Sequence, residues 1–223
     1  MPMKVTEKAY AKINLYLDVI SRREDGFHDI KTVMHSISLF DELTVTYKPS
    51  PITNVRLRLK GSRFLPTDDK NLAVRAAVLY LDALKKNADI EITLKKKIPI
   101  AAGLAGGSSD AAATLRAMNR LFDKAFTERA LYKMAASLGS DVPYCLYGKT
   151  ALCEGRGEII TKLPDTMKLN IVVAVANEHV STPRAYSALD GIFSSFDGSV
   201  STGGEAYYSV LMDSLEKGKS FFH

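Results

Sequence analysis

At 223 residues, with 46% hydrophobic and 25% charged side chains, the chain can bury a real core and is composed like a globular protein. The net charge of +5, scattered apart from Lys95-Lys96-Lys97, favours an anionic ligand and argues against an extended nucleic-acid footprint. No apolar run nears the roughly 18 residues that span a membrane, the N-terminus has no leader core, and Cys145 and Cys153 lack metal-ligand spacing, so reduced core thiols and a cytoplasmic location are expected.

The first predicted strand covers residues 9–20. Ala11, Ile13, Leu15, Leu17 and Val19 would share one face, and Lys12, Asn14, Tyr16 and Asp18 the other. Asp25-Gly26 then predicts a turn, with Phe27 and His28 at its exit. Strands follow at 33–39, 43–47 and 55–59, the last two split by Pro49 and Pro51, which together read as an antiparallel meander. Asn71 caps a helix running to about Lys85, with Leu72, Ala76 and Leu79 turned inward.

A strand at 90–94 leads into Pro99-Ile100-Ala101-Ala102-Gly103-Leu104-Ala105-Gly106-Gly107-Ser108-Ser109-Asp110, and a helix to about Phe122 leads out. Glycines let backbone N–H groups approach a ligand, and a helix N-terminus adds unpaired donors and the positive end of the dipole. That combination suits a phosphate. The stretch lacks the Lys-Ser/Thr of a Walker A loop and the spacing of GxGxxG, and the plainer reading is a strand-to-helix turn with a Ser cap. Positive charge must come from elsewhere, and Lys95–Lys97 lie just upstream.

Thr127 caps a third helix with a stripe of Leu131, Met134, Ala135 and Leu138, ended by Gly139. Pro143 biases Val142 away from helix, which leaves Asp141 on a short loop, as a cap or as a working carboxylate. A hairpin is expected at 149–161 around Gly155-Arg156-Gly157, a buried strand at Leu169–Val175, and a helix behind Thr182-Pro183 through Tyr186 and Leu189. Residues 191–204, rich in Gly and Ser, are expected to be mobile, before a closing helix at 205–217. A boundary falls near 155–167, and no internal repeat is visible.

Four segments converge on one family. Ala9-Tyr10-Ala11-Lys12-Ile13-Asn14-Leu15, Asp25-Gly26-Phe27-His28, the Pro99–Ala112 loop and Gly139-Ser140-Asp141-Val142-Pro143 closely resemble the GHMP small-molecule kinases, over about Ala9 to Tyr186. The glycine-serine loop marks the superfamily. The other three segments point to its branch that uses ATP to phosphorylate the tertiary 2-hydroxyl of 4-diphosphocytidyl-2-C-methyl-D-erythritol, in non-mevalonate isoprenoid synthesis.

The resemblance implies a two-domain α+β GHMP kinase fold. Residues 1–160 would form an ATP-binding and catalytic domain like the second domain of ribosomal protein S5. Residues 161–223 would form part of a ferredoxin-like substrate-binding domain, incomplete because the family's third glycine-rich motif is absent before His223. ATP and Mg²⁺ are the implied cofactors. The implied partner is the small cytidine-diphosphate substrate, with no nucleic acid or membrane, and the chain is expected as a monomer or weak homodimer. Asp141 is the implied general base and Lys12 its neighbour. Lys96, Pro99, Ala101, Gly103, Leu104, Ala105, Gly106, Gly107, Ser108 and Ser109, with Asn71 and Leu72, would hold ATP, and Ser109 would offer its hydroxyl to Mg²⁺. Asn14, Phe27, His28, Asp141, Thr182, Pro183 and Tyr186 would contact substrate, Phe27 stacking on cytosine and His28 reading its edge. Phe27 replaces the family's usual Tyr, and Ala105 and Asp110 its usual Gly and Asn. The alternatives are a GHMP kinase for homoserine, mevalonate or a sugar, a catalytically impaired homologue, and an RNA-binding module, which lacks the clustered basic and aromatic residues it needs.

Overall fold

Two long strands open the chain: β1 (Lys4–Arg22) and β2 (His28–Pro49). The structure, a computed structural model, describes residues 3–61, 65–164, 169–175, 181–195 and 204–217. β3 (Asn54–Lys60), α1 (Leu72–Leu84), β4 (Ala88–Lys95), α2 (Gly106–Leu121), α3 (Glu128–Leu138) and α4 (Val142–Tyr147) follow. β5 (Thr150–Gly155), β6 (Ile159–Lys162), α5 (Thr182–Ser195) and α6 (Gly204–Lys217) complete the described elements. The strands pair in the order β3-β4-β2-β5-β6, and β1 also pairs with β2.

The chain divides into two interleaved compact units: Met1–Ile13 with His35–Gly148, and Asn14–Met34 with Lys149–His223. In the first, β2 and β4 run antiparallel with Val45 opposite Ile92, and β3 runs parallel to β4 with Leu57 opposite Ile92. The expected meander is therefore corrected. β3 lies beyond β4, because α1 carries the chain over between them, as a parallel pair requires. The predicted strands at 33–39 and 43–47 are one strand, unbroken at Asp41, whose buried carboxylate is fully satisfied by Lys96 and by the N–H groups of Lys97 and Ile98.

Leu43, Val45, Ile90, Ile92 and Leu94 are fully buried in this unit. Burying each such side chain contributes about 1.5–3 kcal/mol. α1 packs on α2, and α2 on α4. Tyr80 of α1 stands edge-on to Phe126 at 5.0 Å and donates its hydroxyl to Asn119 Oδ1 at 2.9 Å. Burial pushes that phenol up to about 12.

In the second unit, Tyr16 and Val33 meet Leu211 and Leu215 of α6 in a small core, with Leu15, Leu152, Leu163, Tyr208 and Met212 against it. This corrects the predicted alternation of β1. Tyr16 is buried and Leu17 is 51% exposed, because α6 covers the face that carries Tyr16. Leu169–Val175 is not a buried strand either. It takes no regular structure among the described residues, and Val172 is 96% exposed. A buried strand needs neighbours that a run of apolar residues does not itself supply. Of the region expected to be mobile, 191–195 extend α5, Gly204 opens α6, and 196–203 lie outside the described residues.

Candidate active site

The glycine loop closes on the first unit with left-handed backbone at Ala101 (φ 54°), Gly103 (φ 71°) and Ala105 (φ 55°). Ala105 stands at the N-cap of α2 and supplies no side-chain cap. The first N–H groups of the helix, at Gly106, Gly107 and Ser108, are thus left to a ligand. A Cβ at Gly106 would meet Ile98 Cγ2 at 3.1 Å and Lys96 Nζ at 3.3 Å, so glycine is what allows the close approach there.

These residues wall a cavity of about 340 Å³. Its lining includes Asn71, Leu72, Lys96, Pro99, Ala101, Gly103, Leu104, Ala105, Gly106, Gly107 and Ser108. Ser109 is not among them. It is buried, and its hydroxyl donates to Tyr10 O at 2.6 Å, which bolts α2 to β1 and leaves the oxygen its acceptor lone pairs. Ser108 is the serine on the cavity wall.

Lys96 does not bring net positive charge to the cavity. Its ammonium sits between Asp41 and Asp110, the latter at 2.7 Å. With both carboxylates ionised the cluster carries one excess negative charge. Burial, the largest cause, together with the charge of Asp41 pushes Asp110 up to about 7 against the opposing pull of Lys96. Asp110 Oδ1 is buried without a hydrogen-bond partner, on a residue that lines the cavity.

Lys12 and Asp141 come together in the same unit, Nζ to Oδ2 at 3.8 Å. Asp141 occupies the N-cap position of α4, but its side chain makes no capping bond, so the carboxylate is turned to Lys12 instead. Lys12 N donates to Leu104 O at 3.2 Å, which ties the strand carrying the ammonium to the glycine loop. Arg116 of α2 completes the frame, donating to Lys8 O of β1 and to Cys145 O of α4, each at 2.9 Å. Cys145 itself is no nucleophile, since burial pushes its thiol far up.

The second unit assembles a different set. In the turn before β2, Gly26 has φ 81°, Arg23 N donates to Phe27 O at 2.8 Å, and Asp25 Oδ1 accepts from Phe27 N at 3.1 Å. Phe27 is 50% exposed, with the Arg156 guanidinium 4.8 Å above its ring. His28 is buried, stacked on Tyr186 with centroids 4.7 Å apart, and its Nε2 lies 2.7 Å from Asp190 Oδ1. Asn14 donates to Thr32 Oγ1 at 2.6 Å. Thr182 and Pro183 open α5, and their side chains lie outside the described residues.

Sequence reading missed Lys70 on the cavity wall, Asp41 beneath Lys96, and Arg156 and Asp190 around the Phe27-His28 turn. Lys70 adjoins the Asn71 cap and was within reach of local reasoning. Asp190 lies 162 positions from His28, where no spacing rule operates. Among the described residues no three His, Cys, Asp or Glu cluster as a metal site, and no helix is long and apolar enough to cross a membrane.

A family profile described as GHMP kinases N terminal domain matches residues 71–149. A 4-diphosphocytidyl-2-C-methyl-D-erythritol kinase from Macrococcus caseolyticus is 43% identical over 186 residues, 83% of this chain and 65% of that protein. One of the same name from Caldicellulosiruptor saccharolyticus is 45% identical over 183 residues, 82% of this chain and 62% of that protein. The chain thus spans less than two thirds of the length of these curated relatives. A crystal structure of 4-(cytidine 5'-diphospho)-2C-methyl-D-erythritol kinase superposes with a TM-score of 0.71 at 31% identity, over 97% of this chain and 73% of that one. Homoserine kinase from Cytophaga hutchinsonii shares the fold, with a TM-score of 0.64 at 22% identity over 96% and 68%.

Proposed function

We propose that this chain, which belongs to the GHMP kinase family, phosphorylates the 2-hydroxyl of 4-diphosphocytidyl-2-C-methyl-D-erythritol from ATP, giving the 2-phosphate and ADP. The observation that carries the reading is the Lys12–Asp141 pair, held by backbone and hydroxyl bonds to the same loop that offers uncapped helix N–H groups. Named relatives at 43–45% identity supply the substrate class.

Phosphoryl transfer needs neutralised phosphates, an in-line hydroxyl and a destination for its proton. The N–H groups of Gly106, Gly107 and Ser108 and the Ser108 hydroxyl hold the phosphates. Asp141 Oδ2 takes the proton of the substrate hydroxyl as the new O–P bond forms and the bond to the ADP oxygen breaks. Lys12 aims the Asp141 carboxylate and stabilises charge on the transferred group. The Ser108 hydroxyl, and the Asp110 carboxylate in its ionised form, would hold Mg²⁺. When bound, that ion neutralises phosphate charge.

Phe27 and His28 take the cytosine end, with Tyr186 beside them, and Asn14 positions the polyol. Residues 1–160 supply ATP binding and catalysis, and residues 161–223 form part of a substrate-binding domain. The protein acts in the cytoplasm, in keeping with its two free buried cysteines, as a monomer or weak homodimer.

The test is an ADP-release assay with the cytidine-diphosphate substrate, homoserine and mevalonate. Turnover is expected with the first alone. Asp141→Asn should lower it by roughly 10²–10⁴-fold, the usual worth of a positioned base, while nucleotide binding persists. Near-normal turnover in that variant would remove Asp141 from the role.

A further inference from the structure

We propose that Asp190 is a positioning residue that makes the chain select cytosine over uracil, by fixing which nitrogen of His28 carries the proton. The inference rests on the cytidine reading above and goes beyond it in naming how the base is told apart.

Two residues of α5, four apart and so on one helix face, grip the His28 ring. Tyr186 stacks on it at an interplanar angle of 27°, which sets the ring plane. Asp190 Oδ1 stands 2.7 Å from Nε2, which prevents the ring from flipping within that plane. An ionised carboxylate only accepts hydrogen bonds. Nε2 must therefore be the donor, and in the neutral ring Nδ1 is left as an acceptor. Arg22 Nη1 lies 3.6 Å from the other oxygen, Asp190 Oδ2, and helps to hold the carboxylate in place.

An acceptor at Nδ1 matches the exocyclic amine of cytosine and opposes the carbonyl that uracil has at the same place. Facing two acceptors costs roughly 5- to 100-fold in affinity. In Asp190→Asn the amide can turn its N–H₂ toward Nε2, which moves the proton to Nδ1 and removes the preference.

The test measures binding of CDP, UDP and ADP to the wild type, Asp190→Asn and Asp190→Ala, with ¹⁵N NMR of the histidine ring at pH 8. The chain has four histidines, so His28→Gln assigns the signal. The wild type should carry its proton on Nε2 and bind CDP at least roughly fivefold tighter than UDP. Both variants should lose most of that ratio, Asp190→Asn through a shift of the proton to Nδ1, with ADP binding unchanged. Equal loss of CDP and UDP affinity, or a wild-type proton on Nδ1, would overturn the proposal. A wild type with the Nε2 proton that binds neither pyrimidine would overturn the cytidine reading and this inference with it. A variant that keeps the CDP preference would overturn only the role of Asp190.

Discussion

Lys96 shows how far a residue's neighbours can change what it does. In the sequence it is one of three consecutive lysines beside a phosphate loop. In the fold it is the shared counter-ion of two buried carboxylates, and the cluster's charge balances only if one carboxyl keeps its proton. Asp110 is that carboxyl, pushed from 3.8 to about 7, chiefly by burial. Between about pH 4 and 7 the folded chain holds a proton that the unfolded chain has released, so this group's stabilising contribution falls as pH rises through that window. Asparagine mimics the protonated form. Asp110→Asn should therefore match the wild type in urea unfolding at pH 4 and exceed it by up to a few kcal/mol at pH 8. A difference independent of pH would disprove the assignment.

At the scale of elements, legibility followed the range of the forces involved. Caps are local, so Asn71 and Thr127 were readable, and both accept the expected bonds, from Ala73 N at 2.9 Å and Ala130 N at 3.3 Å. Thr127→Ala should cost about 1 kcal/mol by chemical denaturation; no measurable loss would mean that the rest of α3 holds its first turn. The α3 stripe of Leu131, Met134, Ala135 and Leu138 is buried as its period required. The place of β3 beyond β4 was not readable, because a parallel pairing is decided by a distant partner. The same limit hid which face of β1 would be covered at Tyr16, a matter settled by α6 nearly two hundred positions later. The site divides likewise. The glycine loop announces itself by composition, whereas Asp41 reaches Lys96 across 55 positions.

For the whole molecule, the two compact units are not successive stretches of chain, since β1 and β2 each give part of their length to both. The Lys12–Asp141 pair and the glycine loop belong to one unit, and the Phe27–His28 turn with α5 belongs to the other. Loosening the second unit should therefore raise the KM for a cytidine substrate more than that for ATP.

The run Leu169-Asn170-Ile171-Val172-Val173-Ala174-Val175 bears on how the protein behaves in a tube. Seven residues without a charge or a proline, five of them Ile, Val or Leu, join no ladder among the described residues, with Val172 almost wholly open to water. Such a run is a template for strand-to-strand growth between molecules. Light scattering should rise with concentration and with a lag that seeding abolishes. Val172→Lys, which meets no packing at a side chain 96% exposed, should lengthen that lag without moving the melting temperature; an unchanged lag would place the nucleus elsewhere. Shelf life would then be governed by storage concentration instead of by heat.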